Sequence, residues 1–356
     1  MGRYGIEKKI IRILENLYSL VMACVRISGK ETDWFQIITG FRQGCILSPT
    51  LFNIILDYIM RRVEEAQMKK ETSIPTHCQD VEYADDTGLL AESLLNLIQM
   101  IEQLAEESKK LGLLINYNKT KVMPITKKEG PWPKIEIEGK DIEVVRKFTY
   151  LGSELEANGG SESEIKRRIA LAGATFKRLH QKIFRRHDVP LKLKIRTLNA
   201  CVIPVLLYGA ETWSVTHNFE NKLNAAENGW LRRILGISYK EHISNVELRR
   251  RTGQPYVGQI IRKRRVKWAG HVLRMDDTRP TKETFLYKPD GKRSRGRPMR
   301  RWMDCLEDDL KQAGISRCGR TCGRNRMTLL DMAQDRELWR DVVEKSMAGY
   351  SRGMMT

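Results

Sequence analysis

The chain has 356 residues, with 63 Lys and Arg against 44 Asp and Glu, a net charge of +19 and 41% apolar residues, a composition that excludes a disordered tail and a collagen-like repeat. Seven widely scattered cysteines do not read as a disulfide framework. The longest near-apolar run, residues 201–210, is about half of a bilayer span and contains Pro204 and Gly209, so no membrane partner is expected.

In chain order, Ile6, Ile10, Ile13, Leu14, Leu17 and Val21 recur at steps of three and four, which predicts an amphipathic helix over 6–25. Arg3, Glu7, Lys8, Lys9, Arg12 and Glu15 fill the stretch where a signal peptide needs an apolar core, so an intracellular location is expected, nucleus and cytoplasm both remaining open. Residues 25–30 and 34–37 read as two short strands around a turn containing Gly29. Ser48-Pro49, a cap and a first helical residue, opens a helix over 51–65. Residues 81–84 and 87–90 then flank Asp85-Asp86, a strand-turn-strand pattern with two carboxylates at its tip. A helix is predicted over 93–111, and short strands at 113–115, 135–137, 142 and 148–152. Without the regular alternation of a parallel sheet, this mixture predicts an α+β domain. From Glu162 the pattern turns helical, with Ile165, Ile169, Ala172 and Phe176 on one face and a second helix over 191–205. Residues 288–301 read as an exposed basic linker and 336–345 as a last short helix.

Adjacent aspartates are common in turns, where their side chains bond local backbone, so the chemistry rests on the order of their neighbours. Phe41-Arg42-Gln43-Gly44-Cys45-Ile46-Leu47-Ser48-Pro49 precedes the pair; Leu111-Gly112-Leu113-Leu114-Ile115-Asn116-Tyr117-Asn118-Lys119 and Phe148-Thr149-Tyr150-Leu151-Gly152-Ser153 follow it. Four blocks in this order resemble the palm of a reverse transcriptase of the non-LTR, LINE-like retrotransposons. The resemblance spans residues 1–160, and Leu207-Tyr208-Gly209-Ala210-Glu211-Thr212-Trp213 and Trp268-Ala269-Gly270-His271 resemble regions downstream of that palm.

The resemblance implies an RNA-directed DNA polymerase: a partial palm of antiparallel sheet and helices over 1–160, a helical thumb over 161–240 and a basic C-terminal region over 241–356. Its partners would be an RNA template, a DNA primer or their heteroduplex, and a deoxynucleoside triphosphate. Asp85 and Asp86 would hold Mg²⁺, with Mn²⁺ as a substitute, because hard divalent cations take carboxylate oxygens. Tyr83 and Ala84 would shape the turn at the primer end, and Gln43 and Gly44 would let template and nucleotide approach closely. Arg42 would contact phosphate, Lys119 would support the leaving pyrophosphate, and Tyr150-Leu151-Gly152 would grip the primer. The residues also admit plainer readings: Gly44 as a turn before the Ser48-Pro49 helix start, Lys119 in a solvated cluster with Lys121, Lys127 and Lys128, and Phe148 and Tyr150 as core on one side of a strand.

Such enzymes place a further metal-binding Asp on a strand upstream of the Gln-Gly block, and no residue here matches it; Asp33 and Asp57 are misplaced. The expectation is therefore an impaired polymerase when this chain acts alone, unless a separate chain supplies the missing palm and fingers. A binding relic without catalysis and a protein-interaction module are the competing classes.

Charge is unevenly distributed, at −2 over 1–160, +9 over 161–240, +11 over 241–300 and +1 over 301–356. The runs Arg249-Arg250-Arg251, Arg262-Lys263-Arg264-Arg265 with Lys267, and Lys292 to Pro298 carry the polyanion signal, with Arg264, Arg265, Lys267, Arg295 and Arg297 as candidate contacts. Arg295-Gly296-Arg297-Pro298 has the order of a minor-groove hook but reads first as a basic linker, and Trp268 reads first as packed core and second as a stacking ring. Cys305, Cys318 and Cys322 lack the paired short gaps of a zinc knuckle, with no His among or after them, and take no assigned role.

Overall fold

The computed structural model describes all residues except 20, 38–39, 43, 68–79, 127–129, 239, 288–299, 316–328 and 349–356. It is α+β, and it divides into two compact units: one of residues 1–122 and 132–144, the other of 123–131 and 145–356.

In the first unit, α1 (Lys8–Ser19) ends earlier than the apolar spacing predicts. Beyond it β1 (Met22–Ala23) pairs with β4 (Phe35–Gln36), which takes up the backbone groups a further helical turn would use. Inside that ladder β2 (Arg26–Ile27) pairs with β3 (Lys30–Glu31). Helix α2 (Ser48–Gln67) begins at the Ser-Pro signal and buries Leu51, Leu56, Ile59, Met60 and Val63. The Ser48 hydroxyl does not cap it but donates to the Arg42 carbonyl at 2.7 Å, closing the turn that leads in.

The hairpin β5 (Asp80–Tyr83) and β6 (Asp86–Leu89) follows, then α3 (Leu94–Lys110), whose Ser93 side chain accepts the Asn96 N–H at 3.2 Å as an N-cap. Helix α3 buries Met100, Ile101 and Ala105. Ile101 meets the apolar face of a three-stranded sheet ordered β7 (Lys121–Val122), β9 (Lys140–Val144), β8 (Ile135–Ile137), where Ile135, Ile137 and Ile142 alternate inward. Residues 113–115 do not form the expected strand: Asn116 turns the chain by accepting the Lys119 and Thr120 N–H groups on its carbonyl, and pairing starts only at Lys121.

The second unit opens with the hairpin β10 (Lys147–Tyr150) and β11 (Ser153–Glu156) and is otherwise helical. Helix α4 (Glu162–Leu179) buries the face read from its sequence, Ile165, Ala172 and Phe176, with Ile169 half-buried beside them. The Phe176 ring stacks on Phe184 at 4.7 Å and on Trp230 of α7 (His217–Leu235) at 5.8 Å. Between α4 and α7, α5 (Leu191–Thr197) continues through a π turn into α6 (Ile203–Leu206), matching the second helix expected there. Helices α8 (Asn245–Thr252), α9 (Val257–Leu273) and α10 (Pro280–Leu286) follow. A further core forms where α9 meets α11 (Trp302–Gln312), α12 (Leu329–Gln334) and α13 (Arg336–Ala348) around Val266, Ala269, Leu306, Leu310, Ala333 and Trp339. Residues 288–299 of the expected linker lie outside the described residues.

Two helical glycines separate packing from propensity. A Cβ on Gly270 would fall 2.0 Å from the Trp339 indole nitrogen, whereas one on Gly173 would enter open space. Gly173→Ala is expected to stabilise the fold by about 0.5–1 kcal/mol through helix propensity, and Gly270→Ala to destabilise it by about 1–3 kcal/mol through overpacking; urea denaturation of both variants checks the opposite signs.

Candidate active site

The aspartate pair sits on a tight hairpin. Tyr83 pairs with Asp86, so the two-residue loop is Ala84-Asp85, and Asp86 is the first residue of β6 rather than a loop residue. Ala84 has φ +55°, a region that costs a residue with a Cβ energy and persists only where surrounding pairing enforces it. Asp85 and Asp86 are exposed, and Tyr83 beside them is 65% exposed. The strand register thus presents two neighbouring carboxylates at the end of a short ladder. Their hard oxygens suit a divalent cation that keeps several water ligands. Among the described residues no group of three His, Cys, Asp or Glu stands together to hold a metal ion.

Around Gly44 the geometry is that of a turn. Its φ is +82°, and the following Cys45 and Ser48 N–H groups donate to the Arg42 and Cys45 carbonyls. Arg42 Nη2 donates to the Leu17 carbonyl at 2.8 Å and the guanidinium lies over the Tyr18 ring at 5.8 Å, so this cation fixes the end of α1. Gln43 lies outside the described residues. Lys119 is exposed on the Asn116 turn, and among the described residues its ammonium has no ion-pair partner, whereas Lys121 pairs with Glu143 at 2.5 Å.

Tyr150-Leu151-Gly152 belongs to the second unit. Tyr150 pairs with Ser153, leaving the loop Leu151-Gly152 with φ +47° and +77°, the pattern of a type I′ turn. Both carbonyls of this loop are engaged by side chains that the sequence did not single out. The Tyr208 hydroxyl donates to the Leu151 carbonyl at 2.9 Å, and Arg167 Nη1 donates to the Gly152 carbonyl at 3.1 Å, joined there by Arg168 Nη2. Glu164 binds Arg168 Nε at 2.6 Å and accepts the Glu154 N–H at 2.9 Å. The available signals were the i,i+4 spacing of Glu164 and Arg168, and Tyr208 in the block already matched.

Basic runs on α8 and α9 are largely committed within the unit. Arg249 is buried, with Nη1 donating to Glu227 at 2.6 Å. Arg262 pairs with Glu220, Lys263 with Glu344, and Arg264 Nη1 donates to the Leu207 carbonyl at 2.5 Å. Arg265 is buried and binds Asp309 at 2.5 Å, leaving Lys267 exposed beside a half-buried Trp268. A helix alternates its faces every few residues, so four successive cations cannot all reach solvent. Arg295, Arg297, Cys318 and Cys322 lie outside the described residues. Cys305 is buried, with its Sγ 3.6 Å from the Val215 carbonyl, and burial pushes its thiol up. Among the described residues no helix is long and apolar enough to cross a membrane.

At the foot of β5, a pocket of about 370 Å³ is lined by Asp57, Met60, Arg61, Glu64, Asp80 and Glu82. Asp57 accepts from the Tyr4 hydroxyl at 2.6 Å and pairs with Arg61 at 2.9 Å. Partial desolvation, then the charges of Asp80, Asp57 and Glu64, push the Glu82 carboxyl up to about 7.

The family profile described as reverse transcriptase (RNA-dependent DNA polymerase) matches residues 3–155. A transposon-derived protein of Caenorhabditis elegans is 25% identical over 75% of this chain and 95% of its own length. The RNA-directed DNA polymerase from mobile element jockey of Drosophila melanogaster is 21% identical over 63% of this chain and 25% of its own. The Pol polyprotein from type-1 retrotransposable element R2 of Popillia japonica is 22% identical over 66% and 38% respectively. The chain thus spans nearly all of the worm relative but well under half of the two polymerases.

Because the Glu82 carboxyl titrates higher in the folded protein than in the unfolded chain, its contribution to stability is favourable at low pH and is lost as pH rises from about 4.5 through about 7. Glu82→Gln is expected to raise Tm by about 2–4 °C at pH 8, after allowance for solvent screening, and to leave it unchanged at pH 4; thermal melts at the two pH values decide this.

Proposed function

We propose that residues 3–155, which match the reverse transcriptase profile and are similar to the jockey and R2 polymerases, form a reverse transcriptase segment of the LINE-like kind, and that this chain binds an RNA template paired to a DNA primer and takes part in adding deoxynucleotides to that primer. The observation that carries the reading is the Tyr83-Ala84-Asp85-Asp86 hairpin, whose strained two-residue loop sets both carboxylates at an exposed tip inside the matched span. Residues 1–160 act as the palm, 161–240 as the thumb, and 241–356 as the nucleic-acid-holding region.

Asp85 and Asp86 hold Mg²⁺, for which Mn²⁺ substitutes; the bound ion would acidify the primer 3′-hydroxyl and neutralise charge on the triphosphate. The residues themselves supply orientation. Gly44 keeps the backbone low where template and nucleotide pass, and Gln43 acts beside it. Lys119, exposed on a fixed turn, meets the pyrophosphate with a mobile cation. Tyr150, Leu151 and Gly152 present the primer strand. Lys267, with Arg295 and Arg297, contacts phosphates, an interaction that carries little sequence information and weakens with salt.

One or two carboxylates, with waters and substrate phosphates completing the octahedron, suffice to seat Mg²⁺. We expect weak extension by this chain alone because no residue here matches the further upstream Asp that the resemblance implies, which a separate chain would supply. The competing reading, a nucleic-acid-binding module without turnover, rests on the observation that no third ligand stands near the pair among the described residues.

Primer extension on an RNA template with Mg²⁺, and separately with Mn²⁺, tests the assignment. Slow extension that Asp85→Asn with Asp86→Asn reduces at least about 100-fold, with heteroduplex affinity retained, supports the enzyme. Salt-dependent binding with no extension in either metal leaves the binding module.

A further inference from the structure

The Leu151-Gly152 turn departs from ordinary hairpin chemistry. Type I′ loops favour Asn-Gly or Gly-Gly because both positions need positive φ. Leucine at φ +47° is held there against its own preference. Strain of that kind persists only where neighbouring groups over-determine the backbone, and an observed outlier is a fair pointer to a functional constraint.

The neighbouring groups form one connected unit. The Tyr208 hydroxyl takes the Leu151 carbonyl, and the guanidinium of Arg168 takes the Gly152 carbonyl. That guanidinium also lies under the Tyr208 ring, 4.4 Å from its centroid. Glu164, only 2% exposed, holds Arg168 on one oxygen and Arg167 with the Glu154 N–H on the other. Tyr208 itself stays 49% exposed, and its ring passes 3.8 Å from where a Cβ on Gly152 would stand. Carbonyls of a hairpin loop ordinarily face water. Here both are turned onto side chains of α4 and of the segment after α6, which fixes the height and tilt of the loop over the helical unit.

We propose that Glu164, Arg168 and Tyr208 are positioning residues: they lock the Leu151-Gly152 turn so that a primer strand meets a preformed grip rather than a loop that must be ordered on binding. The inference rests on the proposed primer-gripping role of this hairpin. A preformed contact avoids the entropy of ordering, so loosening the lock should weaken binding without removing a phosphate contact.

Tyr208→Phe removes only the hydroxyl that holds the Leu151 carbonyl and keeps the ring over Arg168. Arg168→Lys keeps the charge and loses the planar donor fork. Lys267→Ala, an exposed cation outside this cluster, is the comparison. The readouts on the full chain are affinity for a DNA primer annealed to an RNA template, the salt dependence of that affinity, and amide hydrogen exchange of residues 147–156. We expect Tyr208→Phe to weaken binding by about threefold to tenfold, the scale of one hydrogen bond, with an unchanged salt slope and faster exchange in the hairpin. Arg168→Lys should act in the same direction. Lys267→Ala should reduce the salt slope by about one unit and leave hairpin exchange alone.

Wild-type affinity and hairpin exchange in Tyr208→Phe would overturn the proposal, as would faster exchange with unaltered binding, since the cluster would then serve the fold only. Failure of the unaltered chain to bind the primer–template at all would instead sink the polymerase reading, and with it the gripping role of the hairpin. Should Arg168→Lys fail to fold, Tyr208→Phe decides alone.

Discussion

The pairing of desolvated arginines with carboxylates is the constraint on which the helical unit depends. Glu164 with Arg168, Glu227 with Arg249, and Asp309 with Arg265 each lie in the interior. An unpaired guanidinium there would cost several kcal/mol, and removing one partner of such a pair is correspondingly severe. Each pair also joins segments distant in sequence. Glu164 and Arg168 bind the β10–β11 loop, Arg249 reaches the Asn228 side-chain oxygen at 2.7 Å, and Arg265 reaches the Trp213 carbonyl at 3.3 Å. Charge in this unit is therefore partly a framework material. The surface that remains for a polyanion is smaller than the composition suggests, and it is carried by residues such as Lys267 that the packing leaves exposed.

The first unit is organised differently. Its elements are short, and its buried residues come mainly from one face of α2, one face of α3 and the inward positions of β8 and β9. Local turn chemistry does much of the positioning: the Arg42 carbonyl with Ser48, the Asn116 carbonyl with Lys119 and Thr120, and the Ala84-Asp85 loop. Each of these turns lies beside one of the matched blocks, so residues read as chemical also carry structural duty. Gly44 shows this most plainly, because the positive φ it adopts serves the entry to α2 whatever passes over it.

Much of the fold was legible where periodicity is long. The face of α4 followed from apolar spacing, the spans of α3, the α5–α6 stretch and the last helix were read as helical, and the hairpin at Asp85-Asp86 followed from a strand-turn-strand pattern. Short pairings were harder. A ladder such as Met22–Ala23 with Phe35–Gln36 involves two residues per strand, too few for a period to register, and it took residues from a helix that spacing had extended. The 113–115 segment had strand-like residues, but the Leu113 N–H goes to the Ser108 carbonyl at 2.9 Å and Asn116 bends the chain before a ladder starts.

What the sequence by itself determined is the family order of motifs, the α+β class, and the pair of aspartates on a hairpin, because each depends on residues close together along the chain. Tertiary structure alone decided which cations are spent inside and which loop is locked. Arg265 and Lys267 stand two positions apart in one basic run, yet the helix turns one onto Asp309 and the other to solvent. Tyr208 and Leu151 are 57 residues apart, and no local pattern can tell that a hydroxyl on one will hold a carbonyl on the other.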